Sequence, residues 1–462
     1  MTTTSSAPPR ALTKSELRRV MSSSIVGTAI EWYDFYLFAI SSSVVFGTLF
    51  FPQFDPEVGT INSLATFAIG FFVRPIGGAF FGHFGDKIGR KNVLVITLIM
   101  MGVASTLIGL LPTYATIGVW GAVLLCFLRA VQGFGAGAEY GGAVLMLAET
   151  APKKRRGFYS ALPYVGVAAG LLAANGIYAL VSSLPEEQFL SWGWRVPFLL
   201  SIVGVGVGLI MRLRLHETTV FQEVKKSNLR VKAPLVTVFR YSWRNLLVAW
   251  GAQMGDKSLA YIFESLVIIY VTQQVGLPES MILVGLLISS AVQFVTVPLF
   301  AAWSDRIGRR PVYMCGAILS ALFAYPFFLL MDTGNMWLIW LSLIFASGVA
   351  KTMMTAAQAG WYAEMFPAPV RYSGFSLARE GMAPISGGIA PLVAVTLLAV
   401  GGGDPIWVVA YIVGLSLITL ISVYLGPETY QVDMFPKTTD ESTPDESTAT
   451  GAAEPTKQET TT

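Results

Sequence analysis

Charged side chains are scarce in this sequence. Asp, Glu, Lys and Arg together make up 13% of its 462 residues, whereas an ordinary soluble domain carries about 25%. Hydrophobic residues make up 54% of the chain, and the mean hydropathy is +0.61. A soluble protein of this length does not need the repeated apolar runs of about 20 residues that fill this sequence. The composition therefore excludes an ordinary soluble fold and predicts a protein that crosses a membrane many times.

Histidine and cysteine are rarer still, and their scarcity excludes several kinds of site. The two histidines, His83 and His216, lie near loop ends, and the two cysteines, Cys126 and Cys315, lie in separate apolar runs. The chain contains no H-E-x-x-H motif, no metal-ligand spacing and no phosphate-binding G-x-x-x-x-G-K-[ST] motif. We therefore predict no metal site, no disulfide and no bound cofactor. The same absences disfavour a membrane enzyme and a built-in ATP motor.

Twelve apolar runs are long enough to span a bilayer as helices. They lie at 20–50, 61–82, 92–111, 117–147, 158–182, 194–212, 245–273, 281–302, 311–331, 336–363, 373–399 and 406–426. A basic stretch from Arg212 to Arg244 separates the first six from the last six. The predicted domains are an N-terminal tail (1–18), a six-helix bundle (19–213), a linker (214–243), a second six-helix bundle (244–428) and a disordered tail (429–462).

The positive charges lie in every second connection. Most of the 31 Lys and Arg residues fall in the N-terminal segment, the central stretch and the loops around Lys87, Lys153, Arg306 and Arg371. The alternate connections contain no Lys or Arg. Because positively charged loops stay in the cytoplasm, we predict a multi-pass cell-membrane protein with both termini and the central linker inside.

Two charged stretches occur once in each half of the chain. Gly82-His83-Phe84-Gly85-Asp86-Lys87-Ile88-Gly89-Arg90-Lys91 is repeated as Ala301-Ala302-Trp303-Ser304-Asp305-Arg306-Ile307-Gly308-Arg309-Arg310. Glu149 and Arg156 likewise correspond to Glu364 and Arg371, at nearly the same offset. A duplication of this period indicates two related helix bundles with equivalent loops. The fold class is therefore an all-α membrane protein of two pseudo-symmetric six-helix bundles.

These motifs resemble the major facilitator superfamily. The resemblance rests on the Gly82–Lys91 stretch and on Arg129-Ala130-Val131-Gln132-Gly133 in the fourth helix. Four finer stretches resemble the metabolite:proton symporter family, especially its shikimate-transporter-like members: 31–35 (EWYDF), 74–78 (RPIGG), 137–142 (GAEYGG) and 192–198 (WGWRVPF). The resemblance implies uptake of a small carboxylated or zwitterionic metabolite together with protons.

Ionisable residues inside the predicted spans point to a wet cavity between the halves. One charge at the centre of a spanning helix costs about 2.5–3.5 kcal/mol unless it is paired or hydrated. Glu31 and Asp34 share one helix face, so both cannot ionise cheaply and one should hold a proton. Arg129 does not titrate and is their expected positive partner. We predict proton coupling by Asp34, Glu31 and Arg129, with a static ion pair as the alternative.

Further polar residues in the spans are candidate substrate contacts. Lys351 and Gln358 lie on one face of the tenth helix, and Lys257 and Tyr261 on one face of the seventh. A cation in a cavity suits a substrate carboxylate, whereas Gln and Tyr suit hydroxyls. The candidate contacts are Lys351, Gln132, Tyr33, Lys257, Tyr261 and Gln358. Charge neutralisation within the protein is the alternative for Lys257.

The repeated loops are candidate gates. Asp86 can bond to a helix end of the other half, and Arg90 can pair with nearby acids, so that the inner side stays closed until these contacts break. The predicted gating residues are Asp86, Arg90, Asp305, Arg309, Glu149, Arg156, Glu364, Arg371, Arg379 and Glu380. The alternative is that the basic residues of the loops act only as topology signals.

Together these features favour a proton-coupled importer of a small organic acid that works by alternating access. Two alternatives remain open: an importer of osmolytes such as betaine or proline, and a membrane sensor that does not transport. The expected partners are the organic acid and the lipid bilayer, with no nucleic acid, and the protein is expected to be monomeric. The sequence does not identify the solute.

Overall fold

The computed structural model describes residues 13–227 and 231–435, and within them twelve long helices account for most of the chain. Their bounds are α1 Lys14–Val44, α2 Pro56–Ile88, α3 Arg90–Leu110, α4 Val119–Thr150, α5 Lys153–Ser182, α6 Glu186–Leu213, α7 Trp243–Val275, α8 Glu279–Ile307, α9 Arg309–Asp332, α10 Met336–Met365, α11 Ala368–Val400 and α12 Ile406–Leu425. The number of helices and the all-α fold class predicted from the sequence are confirmed.

Helices α2 to α12 are all long and apolar enough to cross a membrane. Helix α1 spans 31 residues but is more polar, because Glu31, Asp34 and several serines lie along it. It begins earlier than predicted, since Thr13 caps its first turn and Glu16 bonds back to the Thr13 backbone. The outer faces expose large apolar side chains, among them Phe127, Leu322 and Leu392, as lipid contact requires.

The helices form two bundles, α1–α6 and α7–α12. In the first, α2 packs on α4 and α1 on α5; in the second, α12 packs on α7 and α9. Across the bundles, α2 packs on α11, and α5 packs on α8 and α10. Four of these helices (α2, α5, α8 and α11) therefore build most of the contact between the halves.

Two glycines make the sharp turns between α2 and α3 and between α8 and α9. Gly89 has a φ of 103° and Gly308 a φ of 108°, a conformation that side-chain-bearing residues rarely adopt. A Cβ atom at Gly89 would also meet the Glu217 carboxylate, and one at Gly308 would meet the Glu428 carboxylate. The repeated motif thus requires glycine for its backbone angle and for space.

Several helices of the second half contain wider π-helical turns. These turns lie at Ile262–Leu266 and Val271–Val275 in α7, at Ile344–Lys351 in α10 and at Pro384–Ile389 in α11. In the first half, α6 opens with one at Phe189–Gly193. Such turns are uncommon and often occur at functional sites. The turns at 262–266, 344–351 and 384–389 all contribute residues to the central cavity described below.

The linker and the start of the tail pack against the helix ends. The linker contains the short helices Thr219–Lys226 and Pro234–Tyr241. Residues 429–435, which were predicted to be part of the disordered tail, lie against the bundles: Arg156 donates to the Val432 carbonyl at 2.9 Å, and Arg371 to the Met434 carbonyl at 3.0 Å. The predicted tail therefore begins too early, because these carbonyls satisfy buried guanidinium groups. Residues 1–12, 228–230 and 436–462 lie outside the described part of the chain.

Candidate functional site

A cavity of about 470 Å³ lies between the two bundles. Helices α1, α2 and α5 line it from the first half, and α7, α8, α10 and α11 line it from the second. The charged residues in its wall are Arg74, Asp256, Lys257, Glu264, Lys351 and Arg379. The aromatic residues are Trp32, Phe35, Tyr36, Phe71, Tyr164 and Tyr261. A mostly apolar cavity of this size with a few polar groups is typical of a small-molecule site.

Lys351 lies in a ring of hydrogen bonds, here called the Lys351 cluster, that joins the two halves. Its Nζ donates to the Tyr164 hydroxyl at 3.0 Å and lies 3.4 Å from Glu264 Oε1. Tyr164 donates to Gln293, Gln293 to Ser347, and Ser347 to Glu264. The partly exposed carboxylate of Glu264 is part of the cavity wall.

A second group of cations lines the cavity close to α2 and α11; we call Arg74, Lys257 and Arg379 the three-cation site. Arg74 Nη2 donates to Glu31 Oε1 at 2.8 Å, and Lys257 Nζ lies 3.7 Å from Glu380 Oε2. Arg379 Nε lies 3.2 Å from the Glu380 carboxylate. Arg379 and Lys257, assigned from the sequence to a gate and to the substrate, therefore face the same part of the cavity.

Asp34 and Arg129 line a much smaller void of about 10 Å³, which has room for about one water molecule. Both residues are buried within the first half. The Ser201 hydroxyl donates to Asp34 Oδ1 at 2.6 Å. Asp34 Oδ2 and Arg129 Nη2 have no hydrogen-bond partner among the described residues. Phe35 and Arg74 line both this void and the central cavity.

The positive partner of Glu31 differs from the one expected. Arg74 on α2, not Arg129, pairs with Glu31. The Arg129 guanidinium lies instead over the Phe38 and Phe67 rings, at 4.4 and 4.7 Å from their centroids, in space left by the absent side chain of Gly70. Aromatic faces attract a guanidinium, which accounts for this position.

Three predicted substrate contacts lie behind the cavity wall in this conformation. Tyr33 turns towards α6 and donates to the Pro197 carbonyl at 2.7 Å. Gln132 bonds to Ser105 and Arg129 beside the small void. Gln358 donates hydrogen bonds to Gln253 and Asp256. The other three predicted contacts line the cavity: Lys257, Tyr261 and Lys351. Sequence spacing gave the helix face of each residue but not the rotation of that helix within the bundle.

The repeated loops close one end of the cavity by reciprocal contacts. Asp86, from the first half, accepts hydrogen bonds from the backbone N–H groups of Tyr372 and Ser373 at 3.0 and 2.9 Å. Asp305, from the second half, accepts them from Gly157 and Phe158 at 2.8 and 2.9 Å. Each carboxylate thus caps the first turn of a helix in the opposite half, where unpaired N–H groups and the helix dipole favour an anion.

Buried ion pairs surround these caps. Across the halves, Arg371 lies 3.1 Å from Glu149, and Arg156 lies 3.1 Å from Glu364. Within each half, Arg90 lies 3.0 Å from Glu149, and Arg309 lies 3.0 Å from Glu364. The predicted loop and helix-end gating residues therefore form two equivalent sets, one around Glu149 and one around Glu364, which together make up the network at the closed end. Arg379, in the cavity wall, and its neighbour Glu380 lie apart from this network.

The sequence reasoning missed two members of this network, Glu217 and Glu428. Glu217 accepts from the backbone N–H groups of Arg90 and Lys91, and Glu428 from those of Arg309 and Arg310. Burial raises the pKa of the Glu217 carboxyl above its ordinary value, and the Arg90 guanidinium opposes that shift. The signal was present: a Glu-Thr pair follows the last helix of each half at a similar offset to the other repeats.

The network and the cavity together define one conformation. The ion pairs close the end that carries the basic loops, while the cavity extends away from them to the exposed Asn175 on α5 and Leu283 on α8. Among residues 13–227 and 231–435, no group of three or more His, Cys, Asp or Glu side chains is placed to hold a metal ion. Two bundles around a central cavity, with a closable end and buried titratable groups, define a membrane transporter.

Comparisons with known proteins identify the family. Residues 20–240 match the model described as "Sugar (and other) transporter", and residues 254–451 match the model of the major facilitator superfamily. The shikimate transporter of Escherichia coli (strain K12) is 38% identical over 90% of this chain and 95% of its own. The inner membrane metabolite transport protein YhjE of the same organism is 39% identical over 89% of this chain and 94% of its own. The chain belongs to the major facilitator superfamily, and it is a transporter and not an enzyme.

Two further similarities bear on function and fold. A proline/betaine transporter of Salmonella typhimurium is 33% identical over 88% of this chain and 83% of its own. The solved structure of the proton:xylose symporter XylE bound to 6-bromo-6-deoxy-D-glucose matches with a TM-score of 0.72 over 92% of this chain and 98% of its own, at 15% identity. That likeness supports the two-bundle fold.

Proposed function

We propose that this protein imports a small organic acid together with protons by alternating access. The observation that carries the proposal is the central cavity, whose wall holds four cations and two acids, next to the buried and partly unpartnered Asp34. An excess of cations favours an anionic solute, and a buried carboxylate without full compensation favours proton binding. The named shikimate and metabolite transporters among its relatives support the same reading.

In this proposal the Lys351 cluster binds one polar end of the solute. Lys351 offers N–H donors, while Tyr164, Ser347 and Glu264 offer donors and acceptors suited to hydroxyl groups. The aromatic side chains opposite, Trp32 and Tyr36, provide flat apolar surface for a ring or a carbon chain. The cluster joins α5 to α7, α8 and α10, so a solute bound there would touch both halves at once.

Asp34 and Arg129 form the proton site. When Asp34 is protonated, its carboxyl group is neutral, accepts the hydrogen bond from Ser201 and borders the small void. Arg129 then stays among the aromatic rings. When Asp34 loses its proton, its free oxygen is expected to draw the unpartnered Nη2 of Arg129 towards it, because a buried anion needs a cation. A short movement of the Arg129 guanidinium would thus couple the protonation state of Asp34 to the packing of α1 against α4.

The ion-pair network is the gate in this mechanism. Removing one partner of a buried pair costs about 3–5 kcal/mol, so the closed end stays closed while the pairs are dry. Rotation of one bundle against the other would separate the partners of opposite halves and admit water, which compensates the separated charges. Alternation between the two openings then follows from two competing sets of contacts.

The proposal also implies an orientation of the protein in the membrane and an oligomeric state. With the basic loops, both termini and the linker in the cytoplasm of a cell-membrane protein, the cavity opens outward in this conformation. The proton is the only coupling ion that the proposal requires, and one chain contains the whole cavity, so a monomer suffices.

Uptake into proteoliposomes tests the coupling. Wild-type protein is expected to accumulate shikimate when the outside is acidic and to lose accumulation on addition of a protonophore. Asp34→Asn, which cannot release a proton, is expected to abolish accumulation while preserving exchange of labelled for unlabelled solute. Asp55→Asn, at an exposed residue, is the matched control. Accumulation that survives a collapsed proton gradient would refute proton coupling, and uptake at the rate of empty vesicles would favour a sensor.

An osmolyte such as glycine betaine or proline is the second candidate solute. The named proline/betaine relatives support it, and so does the cavity itself, because aromatic faces near Glu264 suit a quaternary ammonium group. Parallel uptake of labelled shikimate, succinate and glycine betaine separates the candidates. An anion transporter takes up either acid and leaves glycine betaine outside.

A further inference from the structure

The three-cation site shares its positive charge among three carboxylates. Arg74, Lys257 and Arg379 pair with Glu31 and Glu380, and Asp256 also interacts electrostatically with Lys257 and Arg379. Glu380 interacts electrostatically with all three cations. Glu31 and Glu380 each have one oxygen, Oε2, without a hydrogen-bond partner in the described part of the chain. The site therefore brings three cations together and has unused hydrogen-bonding capacity at the cavity wall.

The Lys351 cluster has a single cation, which is paired with one acid. Lys351 is already held by Tyr164 and Glu264, and the Glu264 side chain is 40% exposed to the cavity. A solute carboxylate approaching Lys351 would meet the Glu264 charge directly, and like charges repel. The carboxylate is therefore better accommodated beside Arg74, Lys257 and Arg379, and the Lys351 cluster contacts the opposite end of the solute.

Arg74 occupies a special position within the three-cation site. It lines both the central cavity and the small void that contains Glu31, Asp34 and Arg129. Its guanidinium lies 5.7 Å from the Trp32 ring and 5.1 Å from the Phe35 ring, so these rings fix its place in the wall. Only 5% of Arg74 is exposed, so its guanidinium is held in the wall and cannot turn out into bulk water. A carboxylate entering the cavity must share Arg74 with Glu31 or replace it.

Building on the proposed proton-coupled transport, we propose that the solute carboxylate binds Arg74 in place of Glu31, with Lys257 and Arg379 completing the site, and that the displaced Glu31 then takes up a proton. The bound carboxylate group brings one negative charge and the proton brings one positive charge, so these two charges cancel within the site. The only covalent change is the O–H bond formed on Glu31, whose proton comes from a hydronium ion of the surrounding solution. Solute binding and proton uptake thus become one event at Glu31, separate from Asp34.

The charged groups around Glu31 are consistent with this exchange. They are Arg74 from α2, Arg129 and Glu139 from α4, Arg379 and Glu380 from α11, and Asp34 from its own helix. Glu139 is already paired with Arg212 of α6 and accepts a hydrogen bond from Thr97 of α3. Arg129 faces aromatic rings. Of the cations around Glu31, only Arg74 bonds to it, so the loss of Arg74 to the solute leaves Glu31 unpaired among the described residues.

Binding measured at two pH values tests the exchange. The probes are labelled shikimate, succinate and glycine betaine, all of which carry a carboxylate, and binding is measured on purified protein in nanodiscs at pH 6 and pH 8. Wild-type protein should bind its probe more weakly at pH 8, by about tenfold or more, because ionised Glu31 competes for Arg74. Glu31→Gln should bind as tightly at pH 8 as the wild type at pH 6, with the pH dependence lost. Arg74→Met should weaken binding at both pH values, by about tenfold or more.

A double variant separates exchange from a merely structural role. If Glu31 acts on the solute only through Arg74, then Glu31→Gln changes affinity in the wild-type background and leaves it unchanged in the Arg74→Met background. Arg74→Lys keeps the charge and serves if Arg74→Met does not fold. Glu186→Gln, at an exposed surface carboxylate, is the matched control and should keep the wild-type pH dependence.

Two outcomes would overturn the exchange and leave the proposed function standing. One is wild-type proton-driven uptake combined with a Glu31→Gln variant that binds no tighter and keeps its pH dependence. The other is loss of the pH dependence in Asp34→Asn and not in Glu31→Gln, which would place proton competition at Asp34 alone. Wild-type protein that takes up none of the three probes with protons would contradict the proposed function itself.

Discussion

Single side chains in this protein have different roles according to which void they line. Lys351 and Arg74 face the central cavity, whereas Asp34 and Arg129 face a void with room for about one water molecule. Sequence alone placed Lys351, Asp34 and Arg129 at mid-membrane depth but could not divide them between two spaces. The division matters because a solute can reach only the larger space, while a proton can reach both.

Replacement of Lys351 tests the solute contact at the residue scale. Lys351→Ala should weaken binding of the transported probe about 10- to 100-fold, because a charge-assisted hydrogen bond contributes about 1.5–3 kcal/mol. Lys351→Arg keeps the charge and should restore part of the affinity. Lys153→Ala, at an exposed residue, is the control. An unchanged dissociation constant in Lys351→Ala would remove this residue from the binding site.

Among the helices and turns, the repeated loop requires both a positive φ at its glycine and a carboxylate packed against its turn. Gly89 and Gly308 adopt nearly the same positive φ, and a carboxylate from the end of each half lies against each turn. The two turns are thus built alike although the motif opens with Gly82 in one copy and Ala301 in the other. Conservation of the geometry across the duplication follows from the turn and not from the first residue of the motif.

Substitution at these turns tests that requirement. Gly89→Ala and Gly308→Ala should each lower the Tm, with a loss of about 1–3 kcal/mol, because alanine is strained at this φ and its Cβ displaces Glu217 or Glu428. Gly176→Ala in α5, where an added Cβ meets no atom within 4 Å, should leave the Tm unchanged or raise it slightly. Thermal unfolding of the purified protein in detergent measures all three. Equal Tm values for the turn and helix variants would contradict the requirement.

For the whole molecule, the duplication produces a gate with matched parts. Each half contributes one aspartate to cap a helix of the other half and one arginine to pair with a glutamate of the other half. The gate holds the cavity closed at one end only, and no such set of ion pairs between the halves occurs at the other end of the described helices. In the proposed mechanism, this asymmetry between the two ends determines which opening the protein adopts at rest.

Accessibility of the cavity tests the gate. With Cys126 and Cys315 replaced by serine and a single cysteine introduced by Asn175→Cys, an impermeant maleimide applied outside should label the protein readily. Adding Asp86→Asn together with Asp305→Asn weakens both caps and should slow the labelling several-fold, because the closed end opens more often. Glu187→Gln, at the exposed α5–α6 connection, should leave the labelling rate unchanged. Undiminished labelling in the double variant would exclude the caps as the gate.

Much of the fold could be predicted from the sequence because membranes impose strong rules. Helix number and the two-bundle duplication followed from apolar runs and repeats, whereas for Asp86 the repeats indicated only a helix end of the other half and not the residues that it contacts. The pairing of Glu31 with Arg74, in contrast, depends on the rotation of α2 against α1 and on the space left by Gly70. The burial of Tyr33 against Pro197 has the same cause. Local sequence does not encode such rotations; packing of several helices at once determines them.

The reciprocal caps have a consequence for how sequences of this kind can diverge. Asp86 and Asp305 bond to main-chain N–H groups, at Tyr372 and Ser373 and at Gly157 and Phe158. Every amino acid except proline supplies the same group, so these hydrogen bonds do not depend on the side chains at Tyr372, Ser373 and Phe158, whereas they do depend on the two aspartates. Gly157 is the exception, because a Cβ atom there would meet Asp305 and Arg309. A proline at a receiving position would break a cap without altering any charge.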